Sequence, residues 1–199
     1  PDDFNMCTWA MRCLLIEDGK RLILIDTGIG NKQDDKFRSH FMPHGNDTLY
    51  NSIRKKGFEP EDITDVVLTH LHFDHCGGAV NINDGKPILA FPNAIYWSSQ
   101  QHWDWAINPN PREKASFLKE NIIPIQENGN LKFIETNDFN HPFISFEKVN
   151  GHTESMILVN IETNKYNLSY CADLIPSIHH IRLPFVMAYD VRPLETLKE

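Results

Sequence analysis

Apolar residues along this chain fall mostly into short runs separated by Gly, Pro, Asn and Asp, the pattern of strands joined by turns. Residues 11–16 and 21–25 are two such runs around Asp18-Gly19, which predicts a hairpin. Residues 63–68 end in Val66-Val67-Leu68 and predict a buried strand, and residues 87–91 and 94–97 predict strands interrupted by Pro92-Asn93. Four more strands are predicted over residues 131–134, 143–149, 155–161 and 166–172, with Asn164 in the last turn. Helical spacing is rarer. Asp47 caps a predicted helix running through Lys56, with Leu49, Tyr50 and Ile53 inward and Gly57 as its stop. A helical turn is expected at Pro60-Glu61-Asp62, and a short helix over residues 98–106. The aromatic stretch from Trp97 to Trp105 suits either ordinary core or the wall of a pocket. Residues 113–123 predict a helix closed by Pro124, with Phe117, Leu118 and Ile122 on one face. Polar residues 31–47 predict a loop with weak helical content, and residues 194–198 look like the start of a helix.

Composition narrows the class. A chain of 199 residues with 41% hydrophobic and 23% charged residues suits one globular domain with a substantial core. A net charge of −8 argues against a nucleic-acid groove or an anionic membrane surface as partner. No apolar run is long enough to cross a bilayer. Four scattered cysteines without a C-x-x-C pair read as reduced thiols, hence a cytoplasmic protein. Cys76 and Cys171 lie beside candidate ligands, and packing is their expected role. The start, Pro1-Asp2-Asp3-Phe4, is neither an initiator methionine nor a signal peptide, so export stays open.

The chemistry concentrates in His70-Leu71-His72-Phe73-Asp74-His75, which leaves the strand ending at Leu68 and precedes Gly77-Gly78. Imidazole nitrogen and carboxylate oxygen are the donors a zinc-like divalent ion takes. His70 and His72 alternate by two and point the same way if the strand continues. Asp74 and His75 follow where the chain turns, placed to face a second ion. His152, in Gly151-His152-Thr153, and Asp173, closing the apolar run that ends at Ala172, also sit just past predicted strands. With the 70–75 motif in hand, both become candidate ligands. Asp26, in Asp26-Thr27-Gly28-Ile29-Gly30, stands at another strand end, where a site residue and an Asx turn are equally plausible.

Together, His70-x-His72-x-Asp74-His75, Gly151-His152-Thr153, Ala172-Asp173 and the hairpin ending in Asp26-Thr27-Gly28 resemble the metallo-β-lactamase-fold hydrolases, in the family's order and over nearly the whole chain. That resemblance implies an α+β fold, an αββα sandwich with metals at one edge of two facing sheets. It implies that His70, His72 and His152 hold a first metal, and Asp74, His75 and Asp173 a second, with Asp173 bridging. Two divalent ions are expected, zinc first, with Mn, Fe and Co taking the same donors. The implied chemistry is hydrolysis by a metal-bound hydroxide, with Asp74 orienting it and later carrying a proton. Dinuclear members usually supply a further His well downstream of the bridging Asp, whereas here only His179 and His180 follow Asp173. One domain spanning residues 1–199 is expected, its carboxy-terminal strand and helix missing, and sheet edges left exposed there would favour a homodimer. His179, His180 and Tyr189 are expected to border the substrate pocket.

A neutral, partly apolar small molecule, a lactone or ester, is the expected substrate, in line with the lactonase-like and organophosphate-hydrolase-like branch. The lactonase-type tyrosine three residues past the bridging aspartate is absent, that position being Pro176. Two alternatives stand beside the hydrolase: a mononuclear iron sulfur-oxidising dioxygenase, and a non-catalytic metal-binding module of the same fold. Flavin-partnered di-iron relatives place a Glu where His72 stands, so His72 argues against them.

Overall fold

Every residue of the run Leu22-Ile23-Leu24-Ile25 is buried, which requires cover on both faces of its sheet. The computed structural model describes residues 2–3, 5–136 and 138–199, so Pro1 and Phe4 of the opening tetrapeptide lie outside the described residues. In chain order the strands are β1 (Leu14–Glu17), β2 (Leu22–Ile25), β3 (Asp65–Val67), β4 (Val80–Asn83), β5 (Lys86–Leu89), β6 (Ile95–Ser98), β7 (Leu131–Phe133), β8 (Ile144–Val149), β9 (Met156–Glu162) and β10 (Asn167–Tyr170). The helices are α1 (Asp35–Phe41), α2 (Leu49–Lys55), α3 (Phe73–Cys76), α4 (Gln100–Ile107), α5 (Lys119–Glu127) and α6 (Pro193–Lys198).

One sheet has the order β1-β2-β3-β6-β7, antiparallel at β1/β2 and parallel beyond. A second, antiparallel sheet has the order β10-β9-β8. Side chains alternate along β2, and the two sets go to different cores. Leu22 and Leu24 join Val66, Leu68 and Tyr96 against Ile53 of α2, Trp103 and Ala106 of α4, and Ile122 and Ile125 of α5. Ile23 and Ile25 join Val67 and Trp97 against Ile144, Ile157, Val159 and Ile161 of the facing sheet. Each such buried Leu, Ile or Val contributes about 1.5–3 kcal/mol. The expected α+β sandwich is therefore present, with two sheets face to face and helices outside the larger one.

Several local expectations change. The α2 cap is Thr48, whose hydroxyl accepts from the Asn51 N–H, while Asp47 pairs with Lys55 on the surface. Within the polar stretch 31–47, α1 forms on the side-chain cap of Asp34. The helix expected over 113–123 runs instead as α5, with Pro124 inside it. Ile125, beyond the proline, is fully buried, and that burial outweighs the backbone bond the proline omits. Residues 80–83, not read as a strand, pair with β5 across Asp84-Gly85. Both turn residues have positive φ, 49° and 74°, as a two-residue hairpin requires, so the Asp-Gly signal was present in the sequence. Trp97 and Trp103 are buried in the core.

Candidate metal centre

The carboxyl ends of β2 and β3, which run parallel, lie on one edge of the larger sheet, and the chain leaves each through a polar loop. After β2 comes Asp26, with φ of 57°, and its N–H donates to the Val67 carbonyl at 2.9 Å. Thr27 N–H then donates to the His75 carbonyl at 2.7 Å, and Gly78 N–H to the Gly28 carbonyl at 2.9 Å. Backbone lies directly on backbone here: a Cβ at Gly77 or Gly78 would collide with the carbonyl oxygens of Ile29 or Thr27. The facing sheet is tied to the same edge by Ile157 N–H donating to the Thr69 carbonyl at 2.8 Å. Ser155 and Ala172, beside the other two candidate loops, also have positive φ, 53° and 44°. Strained backbone of this kind persists where surrounding contacts fix it.

Four imidazoles meet at this edge. The His70 ring lies 4.7 Å from that of His72, 4.0 Å from His75 and 5.1 Å from His152, centroid to centroid. His72 Nδ1 is 3.2 Å from His152 Nε2. The Asp173 carboxylate stands between two histidines, Oδ1 at 3.2 Å from His75 Nε2 and Oδ2 at 3.4 Å from His152 Nε2. Ligands about 2.0–2.1 Å from a tetrahedral ion are separated by roughly 3.3 Å, which is the spacing seen here. Two sets of donor atoms each lie within 4.8 Å of one another: His70, His72 and His152, and His70, His75 and Asp173. His70 Nε2 is buried with no hydrogen-bond partner. A buried lone pair without a donor is costly unless a cation takes it, so this donor set fits a divalent metal.

Protonation follows the same geometry. Burial, then His75, His72 and His152, push His70 well below the usual histidine range, leaving it neutral. Burial also lowers His72. Burial works against a charge on His75 too, but Asp26 and Asp173 overcome it and hold that imidazole well above its usual value. Burial raises Asp173, yet the hydrogen bond from His75 and the surrounding imidazoles bring it down to about 2.

Three of the four candidate histidines are gripped on their far side. Thr69 Oγ1 is 3.1 Å from His70 Nδ1, Asp190 Oδ1 is 3.0 Å from His152 Nδ1, and Asp26 Oδ2 is 2.8 Å from His75 Nδ1. Asp26 also accepts from Thr69 N–H and Thr69 Oγ1, both at 2.8 Å. Asp26 thus acts on the site by fixing a histidine and its loop. His102, neutral because burial pushes it to about 3, accepts the Leu71 N–H at 2.8 Å and donates to the Glu154 carbonyl. It pins the backbone between His70 and His72.

The structure therefore brings His70, His72, His75, His152 and Asp173 together. Asp74, in the first turn of α3, is half-exposed, its Oδ2 3.7 Å from His75 Nε2. His179 and His180 lie on a short turn, Ile178–Ile181, and His180 Nδ1 is 2.8 Å from Ser177 Oγ. Tyr189 is 78% exposed, one residue before Asp190. Among the described residues, none of these last three hydrogen-bonds to a candidate ligand. Asp190, Glu113, Thr69 and His102 were not anticipated; an Asp or Glu amid ordinary helix and loop sequence carries no local mark of its partner.

An α+β sandwich with clustered His and Asp at one sheet edge defines a class, the two-sheet metalloproteins with a candidate dinuclear centre. The model of the metallo-beta-lactamase superfamily matches residues 12–198, and the chain belongs to that superfamily. It is 30% identical over 164 residues to an N-acyl homoserine lactonase from a Bacillus species, a match covering 77% of this chain and 58% of the lactonase. A probable metal-dependent hydrolase from Staphylococcus aureus superposes with a TM-score of 0.83 at 27% identity, covering 94% of this chain and 66% of that one. A dizinc quorum-quenching lactonase in complex with a product superposes with a TM-score of 0.70 at 29% identity, covering 94% and 64%. This chain thus spans about three-fifths to two-thirds of the length of these relatives. Among the described residues no helix is long and apolar enough to cross a membrane.

Proposed function

We propose that this chain carries the metal-binding core of a dinuclear metal-dependent hydrolase acting on a lactone or ester. The observation that carries the reading is Asp173, whose two oxygens each face a different histidine, one from each donor set. His70, His72 and His152 would hold one ion, and Asp74, His75 and Asp173 the other, with His70 bordering both. A bound divalent pair, zinc first, supplies an acidified water and a polarised acyl oxygen. The remaining work falls to side chains. Asp26 and Asp190 keep Nδ1–H of His75 and His152 turned away from the centre, so that their Nε2 atoms face inward. Asp74, beside His75 and half-exposed, would take a proton from the attacking water and pass it to the leaving alkoxide. His179, His180, Phe185 and Tyr189, on the exposed segment after Asp173, would border a partly apolar substrate.

The lactonases among the relatives support lactones as the first substrates to try, N-acyl homoserine lactones among them. The test is metal content per chain, then hydrolysis of lactones, aryl esters, phosphotriesters and a β-lactam by the full-length protein. Lactone or ester turnover that disappears with chelation and returns with zinc is expected. Iron with oxygen uptake and no hydrolysis would overturn the reading in favour of an oxidoreductase.

A further inference from the structure

Glu113 is a carboxylate that the chemistry above leaves without a task. It is only 3% exposed, and among the described residues no lysine or arginine forms an ion pair with it. Burying such a charge is expensive unless its oxygens are saturated with donors. Oε2 accepts from Trp105 Nε1 at 2.8 Å and from Asn110 Nδ2 at 2.6 Å. Oε1 accepts from the Thr153 hydroxyl at 2.6 Å and lies 3.4 Å from His72 Nε2. His72 Nε2 is itself buried without a hydrogen bond at that distance. One carboxylate therefore touches both loops of the three-histidine set, at His72 and at the residue after His152.

We infer that Glu113 is a positioning residue of the candidate metal centre: it keeps the His72 proton on Nε2, so that Nδ1 faces the ion, and holds Thr153 so that His152 meets His72. The inference rests on the reading that His72 and His152 hold a cation. The geometry of His72 fits the arrangement, since Nδ1 is the nitrogen 3.2 Å from His152 Nε2 while Nε2 is the one 3.4 Å from Glu113. A metal ligand whose far N–H is held by a carboxylate is fixed in tautomer and ring angle, and losing such a partner typically costs about 10–100-fold in metal affinity.

Glu113→Gln makes a sharp test. Trp105 only donates, so the new amide oxygen stays on its side and the NH2 turns toward His72 and Thr153. His72 Nε2 must then accept, which moves its proton to Nδ1, the nitrogen needed for the metal. Long-range proton–nitrogen NMR of the metal-free protein reads this directly. The wild type is expected to show His72 as the Nε2–H tautomer and Glu113→Gln as Nδ1–H, with the zinc affinity of the tighter site lowered about 10–100-fold. Thr153→Val should leave the His72 tautomer unchanged and lower affinity less. A wild-type His72 protonated at Nδ1, or a Glu113→Gln variant with unchanged tautomer and affinity, would overturn the inference. If the variant fails to fold, the wild-type tautomer alone decides. If the wild type binds no zinc, the metal reading fails, while the tautomer measurement still tests Glu113 separately.

Discussion

The two donor sets at the sheet edge share His70 yet differ in how they are enclosed. His70, His72 and His152 are all buried, and each has its far nitrogen facing a fixed partner, Thr69, Glu113 or Asp190. In the other set His75 is held by Asp26, but Asp173 is 20% exposed at its side chain and Asp74, beside them, 39%. Preorganised, dry donors bind an ion tightly and exchange it slowly, whereas a set open to solvent keeps room for water and substrate. On the proposed reading, the closed half would anchor an ion and the open half would react. The difference goes with position: the closed set comes from the loops after β3 and β8, and the open set adds His75 of α3 and Asp173 from the loop after β10.

Breaking the shared residue should have the largest effect. His70→Ala removes a donor from both sets, so bound metal by elemental analysis should fall from about two ions per chain to near zero, and hydrolysis to background. Retention of one ion would mean that the sets are independent. Asp74→Asn acts only on the open half: kcat should fall about 10²–10⁴-fold, with smaller changes in KM. Unchanged kcat would remove Asp74 from the proton path. Asp26→Ala leaves Thr69 N–H without its acceptor and His75 free to turn. The weaker zinc step should lose about 10–100-fold in affinity, with the thermal midpoint lowered and the tighter step nearly preserved. Smallest is a proton effect. Asp26 and Asp173 keep His75 protonated in the metal-free protein near neutrality, so zinc uptake by the open set must expel that proton. Calorimetry in buffers of different ionisation enthalpy should show about one proton released at neutral pH, and affinity for that ion rising with pH.

Much of this was legible from residue order. His70, His72, His75, His152 and Asp173 each follow a strand that its own apolar run announces, so convergence at one edge was readable. The outer partners were not. Asp190 lies in an irregular segment and Glu113 in a turn before α5, and each finds its histidine only through tertiary packing across 38 and 41 residues of chain. The displaced start of α5 has a similar origin. Its proline argues locally for a stop, but burial of Ile125 decides otherwise. For Asp26 the sequence left a site role and an Asx turn open; its carboxylate accepts from Thr69 and faces His75, the partners of a residue that orients a histidine.

The most direct measurement is a zinc titration of the metal-free protein against a chelator of known affinity, run in parallel on His152→Ala and His75→Ala. Two separable steps are expected in the wild type, with His152→Ala losing the tighter one and His75→Ala the weaker. A single step lost equally in both variants, or no zinc uptake by the wild type, would contradict a centre made of one closed and one open half.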